Sequence, residues 1–321
     1  MATTDDGPKK QHILPKVYLK HFLNEDGQIF YCKIKDELKS KKIKSTGLGG
    51  IAYKNQFYNL TEGILDDITN DKDELFVETK VNQYYENKIV KYWPFFQTRI
   101  KSLTIDDKHQ IASIILHLKL RNEFIRNLVF NQSNLPELVE SSILELREIS
   151  QHDRSALKNI DEYYELLYDV LLSHFQELGP AGMHNTFLVN SLYGEVTDAR
   201  KAVLWRLVQG SWTVLEVDAP LSFIVSDNIG LPRSYDNKIN FEGKFDFFLP
   251  LNAQQCLRIS KSTEEITLPN LIKLNYIVLD EKELRNINML AAESSVLEIF
   301  GSSQEIIDKT RADFQVKKDM G

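Results

Sequence analysis

From about Asp73 to Leu178 apolar residues return every three or four positions, the spacing of one buried helix face. Val77, Val81, Tyr84, Tyr85, Ile89 and Tyr92 mark a first helix, which Pro94 should kink or end. Ile111, Ile114, Ile115, Leu118, Ile125 and Leu128 predict a second, running to about Phe130. A third begins near Asn134, whose side chain can cap it ahead of Pro136, and carries Leu135, Val139, Ile143 and Leu146. Ile160, Tyr164, Leu167, Leu171, Phe175 and Leu178 predict a fourth, stopped by Gly179-Pro180.

On either side of this stretch the period differs. Pro15 suits the first position of a short helix with Val17, Leu19, Phe22 and Leu23 on its apolar side; Asn24 to Gly27 reads as a turn, Gln28 to Ile34 as a strand and Lys41 to Lys44 as its return. Thr46 to Gly50 is glycine-rich, but its spacing matches neither the dinucleotide fingerprint nor the P-loop, so a turn is expected. Beyond Thr197 the runs shorten to strand length: Val203 to Gln209, Ser211 to Val217, Leu221 to Val225, Phe245 to Leu249, Gln255 to Ile259 and Leu274 to Leu279. A last helix opens with Asp280 three residues before Glu283, as in a capping box, and runs through Leu284, Ile287, Ala291 and Leu297; the polar tail after Asp308 should fray. The expected fold is α+β: a small N-terminal β element (1–70), a helical middle (71–196), and a mainly antiparallel C-terminal sheet with a final helix (197–321), separate or as one continuous domain.

Composition narrows the class. The 321 residues carry 39 basic and 46 acidic side chains for a net charge of −7, at 42% hydrophobic, enough for a core without disulfide or metal. Only Cys32 and Cys256 occur, so no disulfide framework and no four-thiolate zinc site can form, and a reducing cytoplasm is the expected location. The first ten residues lack an apolar leader, and no run approaches the ~18 apolar residues of a membrane span, so no membrane partner is expected.

His12-Ile-Leu-Pro15 followed by Tyr18-Leu19 and Phe22, then a turn and Gln28 to Tyr31, resembles the opening of a bacterial family, domain-of-unknown-function family 4238. Similar positions continue through the helix from Glu78 to Glu86, Arg121, Ser226-Asp227, Pro250-Leu251 and Asn288. The sequence departs from the pattern at Ile229, usually Pro, and at Leu118, often Gln. The resemblance implies relatives over most of the chain and names no reaction and no cofactor.

His12, Arg121, Ser226 and Asp227, drawn from three parts of the chain, supply a proton-transfer group, a fixed cation and a carboxylate, the parts of a hydrolytic or phosphoryl-transfer site. The alternative is structural: His12 packing beside the Pro15 helix, Arg121 in an ion pair, Ser226-Asp227 as a turn. His117 and Arg121, four apart, extend a polar stripe with Ser113 and Gln110 whose expected state is solvated. Arg147 and His152 resemble the paired Arg and His of all-helical ribonucleases, with Glu148 departing from that pattern. Glu78-Thr-Lys80 with Asp66 or Asp67 imitates a metal-dependent nuclease set, but in a helical context; no zinc motif occurs and no metal is expected. Lys33, Lys35, Lys39, Lys41, Lys42 and Lys44, behind Phe30 and Tyr31, could grip phosphates while the aromatics stack on bases, or simply guard an edge strand. Trp93, Trp205 and Trp212 read as core or sheet-face aromatics.

Two functions follow as expectations. One is a nuclease or other phosphoester hydrolase of a bacterial defence or toxin system, centred on His12, Arg121 and Asp227. The other is a non-catalytic regulatory module that binds nucleic acid, a partner protein or a second copy of itself.

Overall fold

The computed structural model describes residues 10–35, 42–60, 73–149, 160–193, 198–235, 243–262 and 271–320, to which the statements below refer. Strand β1 (Lys10–His12) leads into Pro15, whose fixed φ of −57° sets up the short helix α1 (Lys16–Leu19) and the 3₁₀ turn Lys20–Phe22. The hairpin follows, β2 (Ile29–Lys33) antiparallel to β3 (Lys44–Thr46), a return strand later than the expected Lys41–Lys44, and then β4 (Tyr53–Asn55) returns to pair with β1.

A π-helical turn over Val77–Asn82 opens α2 (Gln83–Gln97). Pro94 does not end α2, which continues to Gln97. The carbonyl that Pro94 leaves without its ladder partner belongs to Val90, on the water-facing side of the helix. After β5 (Ser102–Leu103), a Thr104–Asp107 capping box starts α3 (Ile105–Leu120). The sequence predicts one helix to Phe130, whereas the chain breaks at Arg121-Asn122 and restarts as α4 (Glu123–Val129). Asn122, extended at φ −90° and ψ 165°, accepts the Ile125 N–H and caps the new helix. Apolar spacing reports which face is buried and is blind to a break that preserves the face.

Helix α5 (Leu135–Ile149) begins as expected, although the Asn134 amide is turned back to donate to the Leu128 carbonyl. Helix α6 (Ile160–Tyr193) is interrupted where predicted, at Gly179 with φ 63° and ψ 177°, a backbone state open essentially to glycine alone, and resumes at Pro180. Val203–Gln209 is not a strand but part of α7 (Asp198–Gln209). Val203, Leu204, Leu207 and Val208 are spaced as one helix face, and α7 packs against α3.

The strands β6 (Ser211–Glu216), β7 (Val225–Ser226), β8 (Leu231–Ser234), β9 (Phe245–Pro250), β10 (Gln255–Ser260), β11 (Ile272–Lys273) and β12 (Asn275–Val278) follow. Five of them form a sheet in the order β12-β6-β10-β9-β8, antiparallel except for the parallel β12–β6 pair. Helix α8 (Glu281–Ser294) has the predicted Asp280–Glu283 capping box. It stops short of Leu297, because the chain extends at Ser295 into β13 (Glu298–Gly301). Strand β13 completes a second sheet, ordered β3-β2-β13-β7. The tail is helical rather than frayed: α9 (Gln304–Met320) lies on α8, tied by Arg285–Asp313 at 2.7 Å and by Lys317–Glu293.

The fold is thus α+β, with the main core between the α2–α3 layer and the five-stranded sheet. Trp93 and Trp212 are buried in that core, as expected, while Trp205 stands exposed on α7. A second apolar cluster lies between the β2–β13 sheet and α8–α9, and small separate clusters join α5 to α6. No helix among the described residues is long and apolar enough to cross a membrane.

Candidate functional site

Where α3 breaks, Lys119, Arg121 and Asn122 send polar side chains inward. Arg121 is fully buried, and each arm of its guanidinium has an acceptor. Nε donates to Tyr58 Oη (3.2 Å), Nη1 to Glu86 (3.2 Å) and Nη2 to the His12 carbonyl (2.5 Å). Tyr58 Oη in turn donates to the Arg121 carbonyl at 2.8 Å. The break in α3 is therefore stitched by its own arginine.

Glu78, Asn82 and Glu86, spaced by four, present one polar edge of the π turn and α2 to this cation. Asn82 Nδ2 donates to Glu78 (2.7 Å), so its Oδ1 is the atom facing His117 Nε2 at 3.1 Å, and that nitrogen carries the proton. The His117 ring lies flat on Tyr85, 3.9 Å between centroids and 8° from parallel. Burial pushes the Glu78 carboxyl above its ordinary pKa, against the pull of Arg121 and of bonds from Asn82 and the His12 backbone N–H. The His12 imidazole bonds to the Leu48 carbonyl, while its Nε2 is buried without a partner. Burial first, then the charges of Lys16, Arg121 and Lys10, bring that imidazole down to about 4, so it is neutral at physiological pH. The polar stripe expected to be solvated is instead interior at His117 and Arg121, because α2, α7 and the N-terminal segment cover that face of α3.

A second layer adjoins the first. Lys119 Nζ donates to Asn228 Oδ1 (2.5 Å) and to the Gly230 carbonyl (3.0 Å), and Asn122 Nδ2 donates to the same Asn228 oxygen at 3.0 Å. Gly230 has φ +75°, and a Cβ there would lie 2.4 Å from the Phe247 ring, so the turn that meets Lys119 requires glycine. Asp227 accepts the backbone N–H groups of Val296 (2.7 Å), Leu297 (2.8 Å) and Glu298 (3.0 Å), and Ser226 Oγ donates to the Asn228 carbonyl. Burial raises the Asp227 carboxyl even so. His12 and Arg121 are thus brought together, and Ser226-Asp227 ties β7 to β13. Among the described residues no hydrogen bond joins Asp227 to His12 or Arg121.

The remaining expected groups lie elsewhere. Lys35 donates to the Glu293 (2.9 Å) and Ser295 carbonyls at the end of α8, where a cation also meets the negative end of the helix dipole. Lys42 and Lys44 are exposed, Lys33 is half-buried, and Lys39 and Lys41 fall outside the described residues. Tyr31 stacks on Phe300 within the sheet, 6.3 Å between ring centroids. Arg147 lies over Tyr164, and His152 falls outside the described residues, as do Asp66 and Asp67. Among the described residues no three His, Cys, Asp or Glu side chains are grouped to hold a metal.

Sequence reasoning missed Tyr58, Asn82 and Asn228, and with them Arg126, which bonds His184 Nδ1 (3.2 Å) and Asn185 (3.0 Å) beside the same centre. Only the four-residue spacing of Glu78, Asn82 and Glu86 signals such a role in advance.

Fold and site together define an α+β protein built around a buried network of cations, carboxylates and imidazoles at the break in α3. The chain belongs to the family described as protein of unknown function (DUF4238), whose model matches residues 10–305. No curated protein and no solved structure matches it.

Proposed function

We propose that this protein is a phosphoester hydrolase, a nuclease in the first instance, of the kind that serves as a defence or toxin effector. The observation that carries this reading is His12: a buried, neutral imidazole whose Nε2 has no hydrogen-bond partner, ringed by Lys16, Arg121 and Lys10 and backed by the raised carboxyl of Glu78. Cations around a proton acceptor favour an anionic substrate. In this mechanism the His12 imidazole takes the proton of the attacking water and passes it to the leaving oxygen, while Glu78, bonded to the His12 backbone N–H, holds it in place. Arg121, with each of its three nitrogens bonded inside the protein, is a positioning residue that fixes Glu86, Tyr58 and the His12 backbone and adds positive potential. Ser226 and Asp227 act at one remove, by holding the β7–β13 turn whose Asn228 meets Lys119 and Asn122. Lys33, Lys42 and Lys44, with Lys41 in the same segment, are the proposed phosphate contacts, while Lys35 is engaged by the end of α8.

The test is hydrolysis of pooled RNA, single-stranded DNA and duplex DNA by wild-type and His12→Ala proteins of equal folding, with and without Mg²⁺. Cleavage by the wild type alone is expected, with an acid limb near pH 4 rather than 6.5 because His12 stays neutral until then. Cleavage by neither protein leaves the second reading, a non-catalytic binding module. That reading is favoured by a specific observation, the engagement of all three Arg121 nitrogens and both Asp227 oxygens inside the protein.

A further inference from the structure

Helices α5 and α6 pair away from the main core, and the groove between them encloses about 590 Å³. Ile143, Leu144, Tyr164 and Tyr168 make its apolar floor, and Leu144 is 54% exposed. Glu140 stands on the α5 rim, Glu165 and Asp169 on the α6 rim. Arg147 also lines the groove, with its guanidinium 3.9 Å from Asp161 and stacked over Tyr164.

The charge of this hairpin is out of proportion to its size. Residues 135–149 and 160–178 hold nine acidic side chains against the single base Arg147, a balance of −8 in a chain whose whole net charge is −7. An apolar floor between two acidic rims matches an amphipathic helix with apolar residues on one face and Lys or Arg beside them. A second copy fits poorly, since it would set carboxylate rim against carboxylate rim, and a nucleic acid would meet the same repulsion.

We propose that the α5–α6 groove is a docking surface for a basic amphipathic helix of a partner protein. The site is separate from the His12–Arg121 centre and does not depend on the hydrolase reading.

The experiment is a fluorescence-anisotropy titration of the full chain with a labelled model helix of Leu and Lys at helical spacing, beside its Leu and Glu counterpart. Saturable binding of the basic helix alone is expected. It should weaken about tenfold or more in Glu140→Lys/Glu165→Lys and in Leu144→Gln, and fall steeply with added salt. Glu281→Lys/Glu305→Lys, on α8 and α9 and outside the groove lining, should leave it unchanged. Equal weakening by that control pair overturns the proposal, because it shows attraction by net charge alone. Absence of saturable binding at about 100 μM helix overturns it too. So does a concentration-dependent dimer in sedimentation velocity that Leu144→Gln abolishes, since that assigns the groove to a second copy. All the substituted side chains lie at the surface or on the groove rim, and matched thermal unfolding confirms that each variant folds.

Discussion

At the break in α3 a guanidinium, two imidazoles and a half-buried carboxylate pair lie in the protein interior, whereas along α5 and α6 leucine, tyrosine and valine side chains stand in water. The first region tolerates its buried cation because partners are in reach: Arg121 alone engages a phenol, a carboxylate and a carbonyl. The second exposes Leu144, Tyr163, Leu166 and Val170, because a two-helix arm has too few neighbours to cover more than one face of each helix. The contrast teaches where stability and where interaction reside. Polar groups in the interior specify one arrangement of α2, α3 and the N-terminal strands, and apolar groups outside are available to a partner.

The largest effect should come from removing the central cation. Arg121→Met leaves Glu86, Glu78 and the His12 carbonyl facing an apolar side chain and should cost about 3–5 kcal/mol in urea unfolding. A loss under about 1 kcal/mol would show that the network does not hold the α3 break together.

A smaller effect should follow acidification. His184 is buried and held near 4 by that burial, helped by Arg126, against 6.5 when unfolded. Between those two values the unfolded chain binds a proton that the folded chain refuses, so stability is full above pH 6.5 and falls as pH drops toward 4. The loss is on the order of 2–3 kcal/mol for this histidine, and His184→Gln should flatten the pH profile by about that amount when denaturation is followed across the window. His12 titrates in the same direction, so the slope should shrink without vanishing.

The smallest effect belongs to the arm. Leu166, 64% exposed, should accept Gln with a stability change within about 0.5 kcal/mol in thermal unfolding. A loss of 2 kcal/mol or more would mean that this side chain is covered in the protein and would dissolve the contrast.

Much of the fold was legible locally. The Pro15 start, a return strand for β2, a break at Gly179 and the Asp280–Glu283 box each depend on residues within one or two turns of chain, and each forms, although the return strand lies at Lys44–Thr46 rather than Lys41–Lys44 and a helix resumes after Gly179. The errors fall where a remote partner decides. Val203–Gln209 is β-prone in composition but becomes α7 because α3 offers its apolar residues a helical face. Strand β13 was invisible because its pairing partners, β2 and β7, are far off in sequence. For the site, the sequence singled out His12 and Arg121, which the fold brings together, while Tyr58 and Asn228 carry no local sign of the contacts they make.

The sequence by itself determined the class, most of the periodicities, the Asp280–Glu283 cap and the break at Gly179, because these follow from side-chain shape and backbone preference over a few residues. Only the tertiary structure decided that the His117–Arg121 stripe faces inward, that Asp227 spends its oxygens on backbone N–H groups of β13, and that the acidic rims of α5 and α6 flank one groove. Burial and partnership are properties of distant segments meeting, and no local spacing encodes which segments meet.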